Sequence, residues 1–171
     1  MSTLIVFESM YGNTEHVARA IAEGLGDAQV VEVGAAPAVL PAELELLVVG
    51  GPTHAHGMSR ERSRADAARR VDEPVISTGI GIREWIAAVA PSPTVVATAF
   101  DTRVPARELF TGSAAKSAAK ALASRGFRVA PPESFVLDGM SGKPFDRVAE
   151  AELERARRWG RTLTNLLPAL A

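Results

Sequence analysis

The sequence predicts an α/β protein with a parallel sheet covered by helices on both faces. Four buried strands are indicated by short runs of β-branched and aliphatic residues bounded by Gly, Pro, Ser or charged residues. These runs lie at residues 4–7, 28–33, 44–50 and 94–100. A fifth strand is split by Pro131 and Pro132, because proline cannot donate to a sheet ladder. Its halves are residues 127–130 and 134–137.

Helices are predicted between the strands, because apolar residues there recur at helical spacing. The segments are Val17 to Leu25 before Gly26, Ile82 to Val89 before Pro91, the alanine-rich residues 113–125 before Gly126, and a stripe from Ala149 to Leu167. Strands that alternate with helices form parallel βαβ units. Trp85 and Trp159 lie on two of these helices, so we expect them to pack in the core or between helices.

Composition restricts the function. A chain of 171 residues suits one domain, residues 1–171, and a net charge of −1 argues against binding nucleic acid, which needs a basic face. The lack of cysteine excludes disulfides, thiolate metal sites and cysteine nucleophiles. The sequence shows no basic leader and no apolar run long enough for a membrane span. We therefore expect a cytoplasmic protein.

The turn after the first strand has the composition of a phosphate site. A helix start offers free backbone N–H groups and a partial positive charge, so it can hold a phosphate without a lysine. Ser9, Asn13 and Thr14 add short side-chain donors, and Gly12 lets the backbone turn closely. An ordinary turn with Thr14 as helix cap is the alternative. The triphosphate pattern GxxxxGK[ST] and the dinucleotide pattern GxGxxG are both missing, and "GIGIRE" at residues 79–84 is interpreted as a helix-entry turn.

Two further loops follow the third and fourth strands, namely "GGPTHAHGMS" at residues 50–59 and "ATAFDTRV" at residues 97–104. With the first turn they would converge if the strand order were 2-1-3-4-5. "SMYGNT", "GGPTHAHGM" and "FDTR" resemble the three flavin-binding loops of flavodoxin-like proteins, over nearly the whole chain. The resemblance implies a doubly wound, five-stranded parallel sheet of order 2-1-3-4-5 with helices on both faces.

The resemblance also implies a cofactor, FMN, and the residues that contact it. The first loop would hold the phosphate through Ser9, Met10, Tyr11, Gly12, Asn13 and Thr14. The second loop would form one wall of the isoalloxazine site with Pro52, Thr53, His54, Ala55, His56 and Gly57, followed by Met58. The third loop would form the other wall with Phe100, Asp101, Thr102 and Arg103. Flavodoxins commonly stack a tryptophan and a tyrosine on the ring, so here stacking would fall to His54, His56 or Phe100, or be absent on one face.

Charged residues near these loops suggest several roles. A rim of His54, His56, Arg60 and Arg103 would favour an anionic reduced flavin. The pair His54 and His56 has a weaker alternative as metal ligands. Asp101 is interpreted as a turn anchor, with a role as a base or as an orienting partner of Arg103 as alternatives. The arginine-rich segment 59–74 is either a solvated loop with a short helix or a lid beside the site.

Three functions remain open from the sequence. The first is a cytoplasmic FMN protein that carries electrons to a redox partner. The second is an NAD(P)H-dependent quinone or small-molecule reductase, favoured by Arg60, Arg62, Arg64 and Arg103 as possible phosphate contacts. The third is a binding protein of the same fold with a degenerate flavin site. No residue is assigned a catalytic role, and Ser9 lacks the G-x-S-x-G context of a hydrolytic nucleophile.

Overall fold

The chain alternates strands and helices as predicted. The structure is a computed structural model that describes residues 2–54, 56–105, 112–139 and 146–165. Its elements are β1 (Thr3–Phe7), α1 (Asn13–Leu25), β2 (Gln29–Glu32), β3 (Leu46–Pro52), α2 (Glu61–Ala68), α3 (Ile82–Ala88), β4 (Val96–Arg103), α4 (Ala114–Ser124), β5 (Arg128–Val129), β6 (Glu133–Val136) and α5 (Glu150–Leu163). The predicted residues Ala55 and Leu167 lie outside the described ranges.

The sheet is parallel and has the strand order β2-β1-β3-β4-β5, which confirms the predicted order. Both β5 and β6 pair with β4, one after the other along the same edge. Val96 and Ala97 of β4 face β5, whereas the later residues from Phe100 to Arg103 face β6. The fifth strand is therefore interrupted between its two halves, where Pro131 and Pro132 were predicted to break the ladder.

The two faces of the sheet carry separate cores, because successive strand residues point to opposite sides. On one face Leu47 and Val49 pack with α3 and α4 through residues such as Trp85 and Leu122. On the other face Val48 and neighbouring strand residues pack with α1 and α5. Trp85 is 2% exposed, and Trp159 packs edge-on against Phe135 with ring centroids 6.0 Å apart. Both tryptophans are packing residues, as predicted.

Helices α1 and α5 approach each other closely at two glycines. A Cβ atom on Gly24 would lie 2.1 Å from the carbonyl oxygen of Arg157, and one on Gly160 would lie 2.4 Å from that of Ile21. Only glycine fits at such a backbone-to-backbone approach. Among the described helices, none combines the length and the apolar character needed to cross a bilayer.

Candidate functional site

The first predicted loop turns sharply between β1 and α1. Gly12 has a φ of 97°, a left-handed conformation that favours glycine, and its N–H donates to Ser9 Oγ at 3.1 Å. The first helical hydrogen bond runs from His16 N–H to the Gly12 carbonyl at 2.9 Å. The N–H groups of Asn13, Thr14 and Glu15 therefore have no acceptor inside the helix. They form a helix start of the kind that binds anions.

Two side chains of this loop are held by hydrogen bonds to other parts of the chain. The hydroxyls of Thr14 and Thr102 share a buried hydrogen bond of 2.8 Å, which ties α1 to β4. Asn13 Nδ2 donates to the Asp146 carbonyl at 2.8 Å, and Val148 N–H donates to Asn13 Oδ1 at 3.1 Å. The Asn13 side chain thus fixes the segment before α5, which corrects its predicted role as a side-chain donor and leaves its backbone N–H for an anion.

Segment 59–77 packs against the outside of the first loop. Ser9 N–H donates to Ser77 Oγ at 3.0 Å, and Ser77 N–H returns a bond to the Ser9 carbonyl at 2.9 Å. The Tyr11 hydroxyl donates to the Ala67 carbonyl at the end of α2 at 2.9 Å, and Met10 is buried beside Ala67. The segment contains the predicted short helix, but it supports the loop through these contacts. Sequence reasoning missed Ser77, because its contact crosses 68 positions and leaves no local signal.

A buried polar cluster joins the end of β1 to α2 and α3. Glu8 is fully buried, and its Oε2 accepts a hydrogen bond of 2.9 Å from Ile82 N–H. Arg64 donates to Ser59 Oγ at 2.9 Å and to Glu84 Oε2 at 3.2 Å. Burial raises the pKa of Glu8, while the Ser59 hydroxyl, the Ile82 N–H and the Arg64 charge act against that rise. The cluster positions the residue that immediately precedes the first loop.

Asp101 anchors α4 and the second loop from a fully buried position. Its Oδ2 accepts hydrogen bonds from Ser113 Oγ at 2.6 Å, from Ala115 N–H at 2.9 Å and from Thr53 Oγ1 at 3.1 Å. Asp101 was predicted to anchor an Asx turn. It does act as an anchor, but the element that it holds is the start of α4. The carboxylate does not line the cleft described below, so the geometry gives no support to Asp101 as a base.

Phe100 is not a wall of the site. The structure extends β4 to Arg103, three residues beyond the predicted strand end, so Phe100 lies inside the sheet. Its ring is 0% exposed and packs edge-on against Phe135 on the face covered by α1 and α5. Space for the ring comes from the neighbouring strand, where a Cβ on Gly50 would lie 2.0 Å from it. The prediction that Phe100 could stack on a flavin is therefore wrong.

The second loop is a tight turn from His54 to Gly57. The two residues exchange backbone hydrogen bonds of 2.9 and 3.1 Å, and His56 adopts a φ of 79° inside the turn. His54 Nδ1 lies 3.1 Å from Ser63 Oγ on α2. Burial lowers the pKa of His54, and the charges of Arg64 and Arg70 lower it further. His54 is consequently a neutral imidazole near pH 7.

The three loops enclose one cleft at the carboxyl ends of β1, β3 and β4. The cleft holds about 510 Å³ of space not occupied by atoms, open solvent included. Its lining consists of Ser9, Met10, Tyr11, Asn13, Thr14, Pro52, Thr53, His54, Thr102, Arg103, Val104 and Leu137. The structure thus brings together ten of the predicted cofactor residues. Gly12 shapes the turn beneath them, and Ala55 lies outside the described residues.

His56 and Gly57 line a different depression, which we call the basic groove. It lies between the second loop and α4, and Arg60, Arg83 and Lys120 also line it. Of the four cations predicted to surround a flavin, Arg60 and His56 face this groove, and His54 is neutral. Among the described lining of the cleft, Arg103 is therefore the member of the predicted rim that brings a positive charge.

The two histidines of the second loop line different cavities, since His54 faces the cleft and His56 the basic groove. Within the part of the chain that the structure describes, no group of three or more His, Asp or Glu side chains is placed to hold a metal ion. The geometry therefore adds no support to the metal alternative for this pair.

The donors of the cleft fit a phosphate monoester with an attached ring system. The helix start supplies N–H groups, the loop sequence from Ser9 to Thr14 contains no lysine, and the hydroxyls of Ser9, Thr14 and Thr102 lie beside it. Beyond them the lining turns apolar, with Pro52 and Leu137 among its members. A ligand with one anionic end and one flat, largely apolar end matches this division.

Comparisons with known proteins give a consistent result. The family model "Flavodoxin" matches residues 5–73, which include the first and second loops. No curated protein matches the chain by sequence. A flavodoxin from the domain Archaea is 20% identical, with 98% of this chain and 99% of that chain covered and a TM-score of 0.60.

Two further solved structures align over nearly their whole length. Oxidised flavodoxin 1 from Bacillus cereus is 16% identical, with 96% of this chain and 98% of that chain covered and a TM-score of 0.65. A flavodoxin variant from Fusobacterium nucleatum, bound to flavin mononucleotide, is 10% identical, with 97% and 96% covered and a TM-score of 0.56. At these identities the agreement concerns the fold. The full-length agreement shows that this chain has the flavodoxin-like fold, and its residues 5–73 match the flavodoxin family model.

Proposed function

We propose that this protein is a single-domain, cytoplasmic flavoprotein that binds FMN noncovalently in the cleft and acts in electron transfer. One observation carries the proposal. The start of α1 presents the N–H groups of Asn13, Thr14 and Glu15 beside the hydroxyls of Thr14 and Thr102, with no lysine in the loop. Such a set of donors suits a terminal phosphate monoester, whereas a triphosphate needs an added cation.

The other end of the cleft suits the ring of the same molecule. Pro52 and Leu137 offer apolar contacts, and His54 offers a flat ring. When bound, FMN would supply the redox chemistry, and the protein would supply orientation and exclusion of water. The neutral state of His54 adds no positive charge at this end, so the cleft polarity comes from hydrogen-bond donors and from Arg103.

The comparisons support the proposal at the level of fold. The flavodoxin from Fusobacterium nucleatum was solved with flavin mononucleotide bound, and it shares this fold over 97% of the present chain. The match of the family model includes Ser9 to Thr14 and Pro52 to Gly57, which are two of the three loops proposed to hold the cofactor. Fold alone does not fix function, so the proposal depends on the donors of the first loop.

Electron transfer is preferred over an NAD(P)H-dependent reductase because Arg60, Arg64 and Arg103, three of the four arginines predicted to contact a nucleotide phosphate, lie in different places. Arg64 is buried and bonds to Ser59 and Glu84, and Arg60 faces the basic groove. Oxidation of NADPH by the FMN-loaded protein, with benzoquinone as acceptor, separates the two functions. We expect no turnover above that of free FMN, and clear turnover would favour the reductase.

The experiment that tests the proposal is titration of FMN fluorescence with the purified protein, accompanied by an absorption spectrum. We expect quenching that saturates at one FMN per chain and a flavin absorption band that remains with the protein after gel filtration. Absence of quenching and of any retained band would overturn the proposal. It would favour a binding protein of this fold with a degenerate flavin site.

A further inference from the structure

The basic groove is a concentration of positive charge in a protein that is nearly neutral overall. The chain has a formal net charge of −1, yet the groove is lined by Arg60, Arg83 and Lys120, with His56 beside them, and its described lining contains no acidic residue. The groove holds about 970 Å³ of space not occupied by atoms, open solvent included. Positive charge is therefore concentrated on this surface, and it favours partners that carry negative charge.

No carboxylate in the described part of the chain neutralises the charges of the groove through an ion pair. Among the described residues, Arg60 and Lys120 enter no ion pair. The guanidinium of Arg83 donates to the carbonyls of Ser59 at 3.0 Å and Met58 at 2.8 Å, so it is held in place without losing its charge. By contrast, Arg157 on α5 bonds to acidic side chains, including Glu23 at 2.7 Å.

The groove shares one wall with the cleft. The tight turn of the second loop presents His54 to the cleft and His56 to the groove, only two residues apart. A molecule seated in the groove would therefore rest against the same loop that lines the proposed cofactor site. Such proximity is what electron exchange between two proteins requires, since the partner must approach the redox group closely.

The arrangement of the cations favours a protein over a nucleotide. They come from three separate places, namely the residue before α2, helix α3 and helix α4. Ser117 and Ser124 continue the polar lining along α4, and the described lining contains no Phe, Tyr or Trp on which a base could stack. Carboxylates spread over an acidic surface match this pattern better than the adjacent phosphates of a single nucleotide.

We propose that the basic groove docks the acidic surface of a redox partner protein beside the cleft. The proposal rests on the proposed function, because it names the partner of the same cofactor site. It gives Arg60 and Lys120 the role of steering and holding the partner, with Arg83 as a fixed central charge. Because the groove is open to solvent, the attraction must weaken as ionic strength rises.

The test uses labelled poly-L-glutamate as the acidic probe, with the full chain at low ionic strength and fluorescence anisotropy as readout. The groove variant is Arg60→Ala combined with Lys120→Ala. Its matched control is Arg19→Ala combined with Arg158→Ala, which removes the same two charges from α1 and α5 across the sheet. We expect the groove variant to bind the probe about tenfold more weakly than the control variant. Added salt should remove this difference.

The same proteins are titrated with FMN, which separates this proposal from the proposed function. Unchanged FMN affinity in the groove variant, with weaker binding of poly-L-glutamate, supports docking at the groove. An equal loss of affinity for poly-L-glutamate in the groove and control variants would overturn the proposal, because net charge alone would then explain the binding. Displacement of the probe by NADP⁺ at low concentration would also overturn it in favour of a nucleotide site. If no protein bound FMN, the proposed function would fail, whereas weaker binding of poly-L-glutamate by the groove variant alone would still support an acidic partner at the groove.

Discussion

The substitution Asn13→Ala should lower stability, although Asn13 lies in the loop proposed to bind phosphate. Its side chain makes two hydrogen bonds, to the Asp146 carbonyl at 2.8 Å and from Val148 N–H at 3.1 Å. Two bonds contribute about 2 kcal/mol, and a buried N–H left without a partner adds about 1 kcal/mol, so the expected loss is about 3 kcal/mol. For a chain of this size that corresponds to a decrease in Tm of roughly 6 to 12 °C.

Thermal and urea unfolding followed by circular dichroism measure this loss. Asn165→Ala is the matched control, because Asn165 is exposed beyond the end of α5 and should change stability by less than about 0.5 kcal/mol. An Asn13→Ala protein as stable as the control would refute the bridging role of the side chain. If that protein also lost FMN affinity, the original prediction of a phosphate donor would be restored.

Two further predictions concern the interior. Burial raises the pKa of Glu8, so the folded state binds a proton more readily than the unfolded chain, and stability should fall as pH rises above the ordinary value of 4.5. Glu8→Gln should flatten that dependence in urea unfolding measured from acidic to neutral pH, and an unchanged slope would contradict it. Gly160→Ala would place a Cβ 2.4 Å from the Ile21 carbonyl and should cost about 2 to 3 kcal/mol. Gly79→Ala, with nothing within 4 Å, is its control, and equal stability of the two variants would argue against the close crossing of α1 and α5.

The sequence predicted the meeting of the three loops because that meeting follows from strand ends and strand order. Runs of β-branched and aliphatic residues located β1, β3 and β4. The resemblance to flavodoxin-like proteins implied the strand order that brings their carboxyl ends together at one edge of the sheet. Pro131 and Pro132 likewise marked the interruption between β5 and β6, since a missing N–H is a local property of the sequence. Such features depend on residues close together in the chain.

The errors arose where distant contacts decide the outcome. Phe100 could equally have ended a strand or continued it, and the absence of a side chain at Gly50 on the neighbouring strand is what gives its ring a buried place. The bonds of Asn13 to residues 146 and 148 cross more than 130 positions. The support of the first loop by Ser77 has the same origin. No periodicity or local motif encodes these pairings.

The most direct test of the account compares FMN with riboflavin, which lacks the phosphate, on the wild-type protein and on Thr14→Ala. If the start of α1 holds the phosphate, wild type should bind FMN about a hundredfold more tightly than riboflavin. Thr14→Ala should weaken FMN about tenfold and leave riboflavin nearly unchanged. Equal affinity for the two flavins, or an equal loss of both in the variant, would contradict the claim that "SMYGNT" is a phosphate site.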